Sequence, residues 1–219
     1  IQFGANTVLY YRDQIEFPFL QYYLNREGEK TPDSRKVHIF FSGENQWKTF
    51  SSWPSKEAKE ISFYLRENHV LSTTAPLEKS SFSEYISDPA KPVPYTNQTV
   101  YARPKEYMTE DQRFAERRPD VSCFKTAPFK EKLTVGGEIE VELEVELTTT
   151  DADFIVKVID EFPEDFTYDK AKEKQRNTQP YLMNGYQMLV RGEVMRGRYR
   201  NSFEHPEAFT PGKITTVRF

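Results

Sequence analysis

His38, His69 and His205 are the only imidazoles in the 219 residues. A serine hydrolase needs one such ring held against a nucleophilic hydroxyl and oriented by a carboxylate. No Gly-x-Ser-x-Gly elbow is present. His38 falls mid-strand, His69 at a turn (Glu-Asn-His-Val) and His205 in a loop (Phe-Glu-His-Pro-Glu), with no serine set beside any of them. A zinc site fails for want of ligands, since Cys123 is the single cysteine. Asp151-Ala-Asp153 has two carboxylates of a calcium loop but not the rest, and reads as a turn leading into a strand. No phosphate loop or dinucleotide fingerprint appears, so no cofactor is expected. Asn97-Gln-Thr99 fits the glycosylation triplet, a pattern that recurs by chance.

Two clusters remain. Trp47, Phe50 and Trp53 could stack on sugars, or pack at an interface. Arg196, Arg198 and Arg200 lie on one predicted strand, and pairing of one of them with Asp153 or Asp160 across neighbouring strands would fix register. Thirty basic and 34 acidic residues give a net charge of −4 without a long run of one sign. Nucleic-acid binding, which needs a basic patch, is therefore not expected. No apolar run of membrane-spanning length occurs, so no membrane partner is expected either. One cysteine forbids an intrachain disulfide and suits both the cytosol and many exported bacterial proteins.

The elements that must carry these residues are mostly strands. Val8, Tyr11, Ile15, Phe19 and Tyr22 recur at three and four residues, which predicts a helix over 8–24, kinked or restarted at Pro18. Asn25 to Ser34 holds the Gly, Pro and Asp of a helix stop and linker. After Lys36 the period changes. Strands are predicted at 37–41, 61–66, 100–102, 120–125, 138–147, 154–159, 187–190 and 214–219. From Glu138 to Leu147 five glutamates alternate with five apolar residues, which puts the two sets on opposite faces. Phe154 to Ile159 is nearly all apolar and predicts a strand buried on both faces. The charged stretch from Asp165 to Pro180 reads as a mobile insertion. Many short strands with irregular connections indicate a mainly β protein, a β-sandwich or jelly roll. Mean hydropathy is −0.75, polar for this length, while 17 Phe and 13 Tyr supply core-forming bulk.

Several ordered stretches resemble the C-terminal domain of the X-Pro dipeptidyl-peptidases, cocaine esterase and the α-amino-acid ester hydrolases. They are Asn45-Gln-Trp-Lys with Ser52-Trp-Pro54, Arg118-Pro-Asp-Val121, and Thr150-Asp-Ala-Asp-Phe154 with Lys157, Asp160 and Pro163. Further along come Gly185 to Gly192, Arg196-Gly-Arg-Tyr-Arg-Asn-Ser202 and Pro211-Gly212. In such a protein residues 1–34 are the last helix and linker of an α/β-hydrolase catalytic domain, and 35–219 a C-terminal jelly roll continuing past Phe219. The resemblance implies that the catalytic triad lies upstream of Ile1 and that this chain carries no catalytic residue. It implies a parent serine hydrolase acting on a small peptide, ester or amide. This domain would pack on the catalytic domain and help wall its cleft, with Tyr11, Phe19, Trp47 and Trp53 at the contact. A homo-oligomer stays open. The alternative is a carbohydrate-binding β-sandwich using its aromatics as platforms.

Overall fold

Asn6 opens the first helix by accepting the Leu9 N–H on its Oδ1 at 3.0 Å, an N-cap that satisfies one orphan donor. In the computed structural model, which describes residues 6–25, 37–77, 80–168 and 182–219, helix α1 (Thr7–Tyr11) passes into a π-turn over Arg12–Glu16. It continues as α2 (Phe17–Leu20) and a second π-turn over Gln21–Asn25. The Phe17 N–H reaches back five residues to the Arg12 carbonyl. This wider turn makes room for the ring of Pro18, so the helix is neither broken nor restarted there. The expected linker beyond Asn25 and most of the expected insertion, from residue 169 to 181, lie outside the described residues.

The strands form four antiparallel pairs. β1 (Val37–Phe41) pairs with β2 (Gln46–Phe50), and β3 (Tyr64–Arg66) with β4 (Val70–Ser72). β5 (Glu142–Val145) pairs with β8 (Thr215–Arg218), and β6 (Asp153–Glu161) with β7 (Gln187–Arg196). A four-residue helix, α3 (Arg113–Glu116), lies between β4 and β5. The nesting of β6–β7 inside β5–β8 is the pairing order of a jelly roll. Met195, Phe209 and Val217 form the buried cluster, with Val145, Leu147, Phe154 and Phe219 packed against it. The two pairs are thus layers of one small sandwich, and each fully buried side chain contributes roughly 1.5–3 kcal/mol.

Not all expected strands form. Val100–Ala102 is irregular, the 61–66 strand shrinks to β3, and 120–125 contributes one bridge between Lys125 and Val70. The 138–147 strand is a ladder over Glu142–Val145 alone, flanked by a Val141–Phe219 backbone pair. Its faces sort as expected from Val141 onward, with the glutamates exposed and Val141, Leu143, Val145 and Leu147 half-buried, while Ile139 is 42% exposed. β6 is not buried on both faces. Ile155 is 61% exposed and Val158 37%, so one face of β6 is uncovered among the described residues.

The chain divides into two compact units. One comprises Ile1–Ser62 with Phe129–Glu138, the other Phe63–Pro128 with Ile139–Phe219.

Candidate functional surface

In the first unit the β1–β2 hairpin carries aromatic rings on both faces. Alternation puts Phe40 opposite Trp47 on one face, and their rings meet edge to face at 5.6 Å. Tyr10 of α1 stacks on the same indole at 5.0 Å and 17°, which fastens the helix to the hairpin. On the other face Trp53 meets Phe50 at 5.4 Å and Phe41 at 6.4 Å. Gly136 passes so close that a Cβ there would lie 2.9 Å from Trp53 Cη2. Both tryptophans are therefore half-buried by their own unit. Tyr11 and Phe19 remain outside, 48% and 43% exposed, alongside Val8, Phe17, Tyr23 and Leu24. Tyr10 was not singled out in the sequence, because it lies off the three-and-four stripe.

The arginine strand resolves into separate pairs in the second unit. Arg196 Nε lies 3.1 Å from Asp153 Oδ1, as their opposed positions on β7 and β6 allow. Arg198 belongs to the turn after β7 and bonds Asp151 at 2.5 Å. Arg200 pairs with Glu207 at 3.1 Å rather than with an aspartate of β6. Its buried guanidinium stacks 4.1 Å above Phe209 and donates to the carbonyls of Gly197 and Glu207. Asp160 has no cationic partner among the described residues; it stands opposite Met188. In an antiparallel ladder seven residues separate it from Asp153, about 23 Å at strand rise, so Arg196 is out of reach. Desolvation by its surroundings pushes the Asp160 carboxyl up. A cavity of about 690 Å³ runs beside these pairs, lined by Arg196, Tyr199, Asn201, Phe203 and Arg218 among others. Its arginines already face Asp153 and Glu142, at 3.1 and 2.5 Å.

Sequence reading missed the buried polar network at the far end of β6–β7. Gln112 and Gln187 are 1% and 3% exposed. Gln112 accepts from Lys157 Nζ at 2.7 Å, and its N–H donates to the Gln187 carbonyl at 3.0 Å. Gln187 Nε2 donates to Glu116 and to Glu161. Lys125 bridges the same two carboxylates at 2.6 and 2.7 Å. Burial works against the charge of Glu116, yet the hydrogen bonds from Lys125 and Gln187 outweigh it and hold the carboxyl below the usual range. Desolvation likewise lowers Lys125, and its two carboxylates more than restore it. Lys157, desolvated with only distant help from Glu110, is pushed down. Glutamine is usually a surface residue, and these two lie 75 positions apart, so no local pattern marks them.

Arg118, expected at a strand start, instead closes a turn. Its Nε and Nη2 bond both oxygens of Asp120 at 2.8 and 2.7 Å, and Nη2 also reaches the Lys91 carbonyl at 3.0 Å. Among the described residues no group of three potential metal ligands converges. His38 approaches Thr49 at 3.4 Å and His69 lies 5.4 Å from Phe124. Ser202 Oγ accepts from the backbone of His205. None of these is a nucleophile–base pair.

The family model described as the X-Pro dipeptidyl-peptidase C-terminal non-catalytic domain matches residues 21–219. The chain belongs to this family. A crystal structure of an aminopeptidase from a marine sediment Thaumarchaeota archaeon superimposes with a TM-score of 0.87 at 32% identity. It covers all of this chain and 35% of its own. An α-amino acid ester hydrolase gives 0.83 at 32% identity, over 98% of this chain and 35% of its own. Cocaine esterase of Rhodococcus sp. (strain MB1 Bresler) is 25% identical over 207 residues, 91% of this chain and 33% of its own. The chain thus spans about a third of the relatives it matches, and corresponds to a mainly β, non-catalytic C-terminal domain.

Proposed function

We propose that residues 35–219 join the α/β-hydrolase domain of their parent through its last helix, which the Tyr10–Trp47 stack fastens to the hairpin and whose exposed aromatic residues pack on the rest of that domain, and so support one wall of the substrate cleft. The observation that carries this is the helix itself. Val8, Tyr11, Phe17, Phe19, Leu20, Tyr23 and Leu24 are each more than 40% exposed, on an element fastened through Tyr10 to Trp47. So many exposed large apolar side chains on one short element mark a contact site. In this reading residues 1–34 close the catalytic domain and 35–219 form the accessory domain. Tyr11 and Phe19 touch the partner directly, while Trp47 and Trp53 act from behind by stiffening the hairpin that carries them.

The parent reaction is then acyl transfer from a small peptide, ester or amide to water, with a serine nucleophile, a histidine base and an oxyanion hole in the other domain. The names of the relatives, an aminopeptidase and two ester hydrolases, support the class. The sugar-platform alternative relied on open indoles, and aromatic neighbours engage both.

The test replaces Tyr11 and Phe19 with serine in the full-length protein. Surface apolar residues truncated at a free face change stability little, within about 0.5 kcal/mol. A melting temperature lowered by several degrees together with a raised KM supports docking. Unchanged melting and kinetics would dismiss it.

A further inference from the structure

The second unit carries an extended strap, Ser80–Pro104, with neither helix nor strand. Its composition differs from that of the chain. Four of its 25 residues are charged (Glu84, Asp88, Lys91 and Arg103), against 29% overall, and Pro89, Pro92, Pro94 and Pro104 are four of the 14 prolines. The two acids and two bases leave it neutral.

The half nearer Pro104 is anchored. Arg118, itself clamped on Asp120, donates to the Lys91 carbonyl at 3.0 Å. Both oxygens of Glu110 accept the Asn97 N–H at 3.2 Å. Thr96 is 5% exposed, and Tyr95 and Arg103 lie against the Tyr107 ring at 5.8 and 5.3 Å. The other half is held out in water. Phe82 is 85% exposed, Tyr85 53% and Ile86 86%.

Two physical features suit this segment to burial by a partner. Each proline removes a backbone donor that would otherwise be stranded on desolvation. Low charge removes the steepest part of the desolvation cost. Anchoring at Lys91 and Asn97 settles in advance part of the ordering entropy that docking a free segment would cost.

We propose that Phe82, Tyr85 and Ile86 dock on the catalytic domain of the same polypeptide, making the strap a second contact beside the helix. This rests on the accessory-domain reading above. The choice of occupant rests on the length of the relatives. These are about three times as long as the chain, with 33–35% of their length matched. A tethered domain is present at an effective concentration on the order of millimolar, far above that of a second molecule in dilute solution. Neutrality of the strap offers nothing to a charged surface, so apolar contact is the recognition chemistry.

The test places the photo-crosslinker p-benzoylphenylalanine at position 82 of the full-length protein, and in a separate variant at position 11. Irradiation is followed by gel electrophoresis and peptide mapping. From position 82 the expected product migrates as a monomer, and its linked peptide comes from the catalytic domain. A product of doubled mass, a link confined to residues 63–219, or no link at all would overturn the inference. Position 11 separates the two failures. If it links to the catalytic domain and position 82 does not, the strap inference falls and the accessory reading stands. If neither links, both fall.

Discussion

At Gly197 a single added carbon would be decisive. A Cβ there would sit 2.6 Å from Phe209 Cε2 and 2.7 Å from the Ala152 carbonyl oxygen. Phe209 has no free side to retreat to, since Phe154 packs beside it and Arg200 stacks 4.1 Å above it. Gly197→Ala should therefore destabilise the domain by roughly 1–3 kcal/mol, as overpacking does. A lowered urea midpoint with an unchanged slope is the check. Asp160 is the opposite case. Its carboxyl is raised by desolvation, so the folded state disfavours its charge above the ordinary carboxylate range. Asp160→Asn is expected to cost no stability at pH 7, and a lower melting temperature would show an unseen partner. Glu116 is held low by Lys125 and Gln187 against burial. Such a group stabilises above its unfolded value, about 4.3 for glutamate, and loses that contribution as pH falls through its folded value. Melting temperature should therefore drop below about pH 4.3, and less so in Glu116→Gln.

Among the elements, the clearest sequence pattern was the glutamate–apolar alternation around β5, because period two separates faces without reference to any partner. The helix over 8–24 was equally legible, although Val8, Tyr11 and Phe19 of its stripe are exposed, Ile15 and Tyr22 are half-buried, and Tyr10 makes the hairpin contact. What failed shares a cause. Val100–Ala102 and Asp120–Phe124 have strand-like residues but find no partner ladder, and pairing rather than composition makes a strand. β6 read as doubly buried because its residues are apolar, yet one of its faces is uncovered among the described residues. The Gln112–Gln187 network was illegible since its members come from α3's start, β6, β7 and the bridge at Lys125. Trp47→Ala should loosen the helix from the hairpin. Hydrogen exchange over Thr7–Leu20 in the full-length protein is expected to quicken by more than tenfold, with β6–β7 unaffected. Unchanged exchange over Thr7–Leu20 would show that Tyr10 stacking is not what fastens α1.

Across the whole molecule, the buried apolar residues among those described are few, Ala115, Met183, Met195, Phe209 and Val217. Large apolar side chains stand exposed on the helix, the strap and the outer side of β6–β7. A domain that leans on a larger neighbour can have this balance, and membership in a non-catalytic C-terminal family covering a third of its relatives accounts for it. In the proposed reading the chemistry belongs to groups elsewhere in the polypeptide, while this part holds their surroundings in place. The most direct measurement is turnover by the full-length protein with His38, His69 and His205 all replaced by glutamine, its fold checked by circular dichroism. Retention of kcat within about tenfold is the expected result. Loss of a catalytic base costs about 10⁶-fold in a serine hydrolase, and a fall of that order in a folded variant would place the base in this chain and contradict the account.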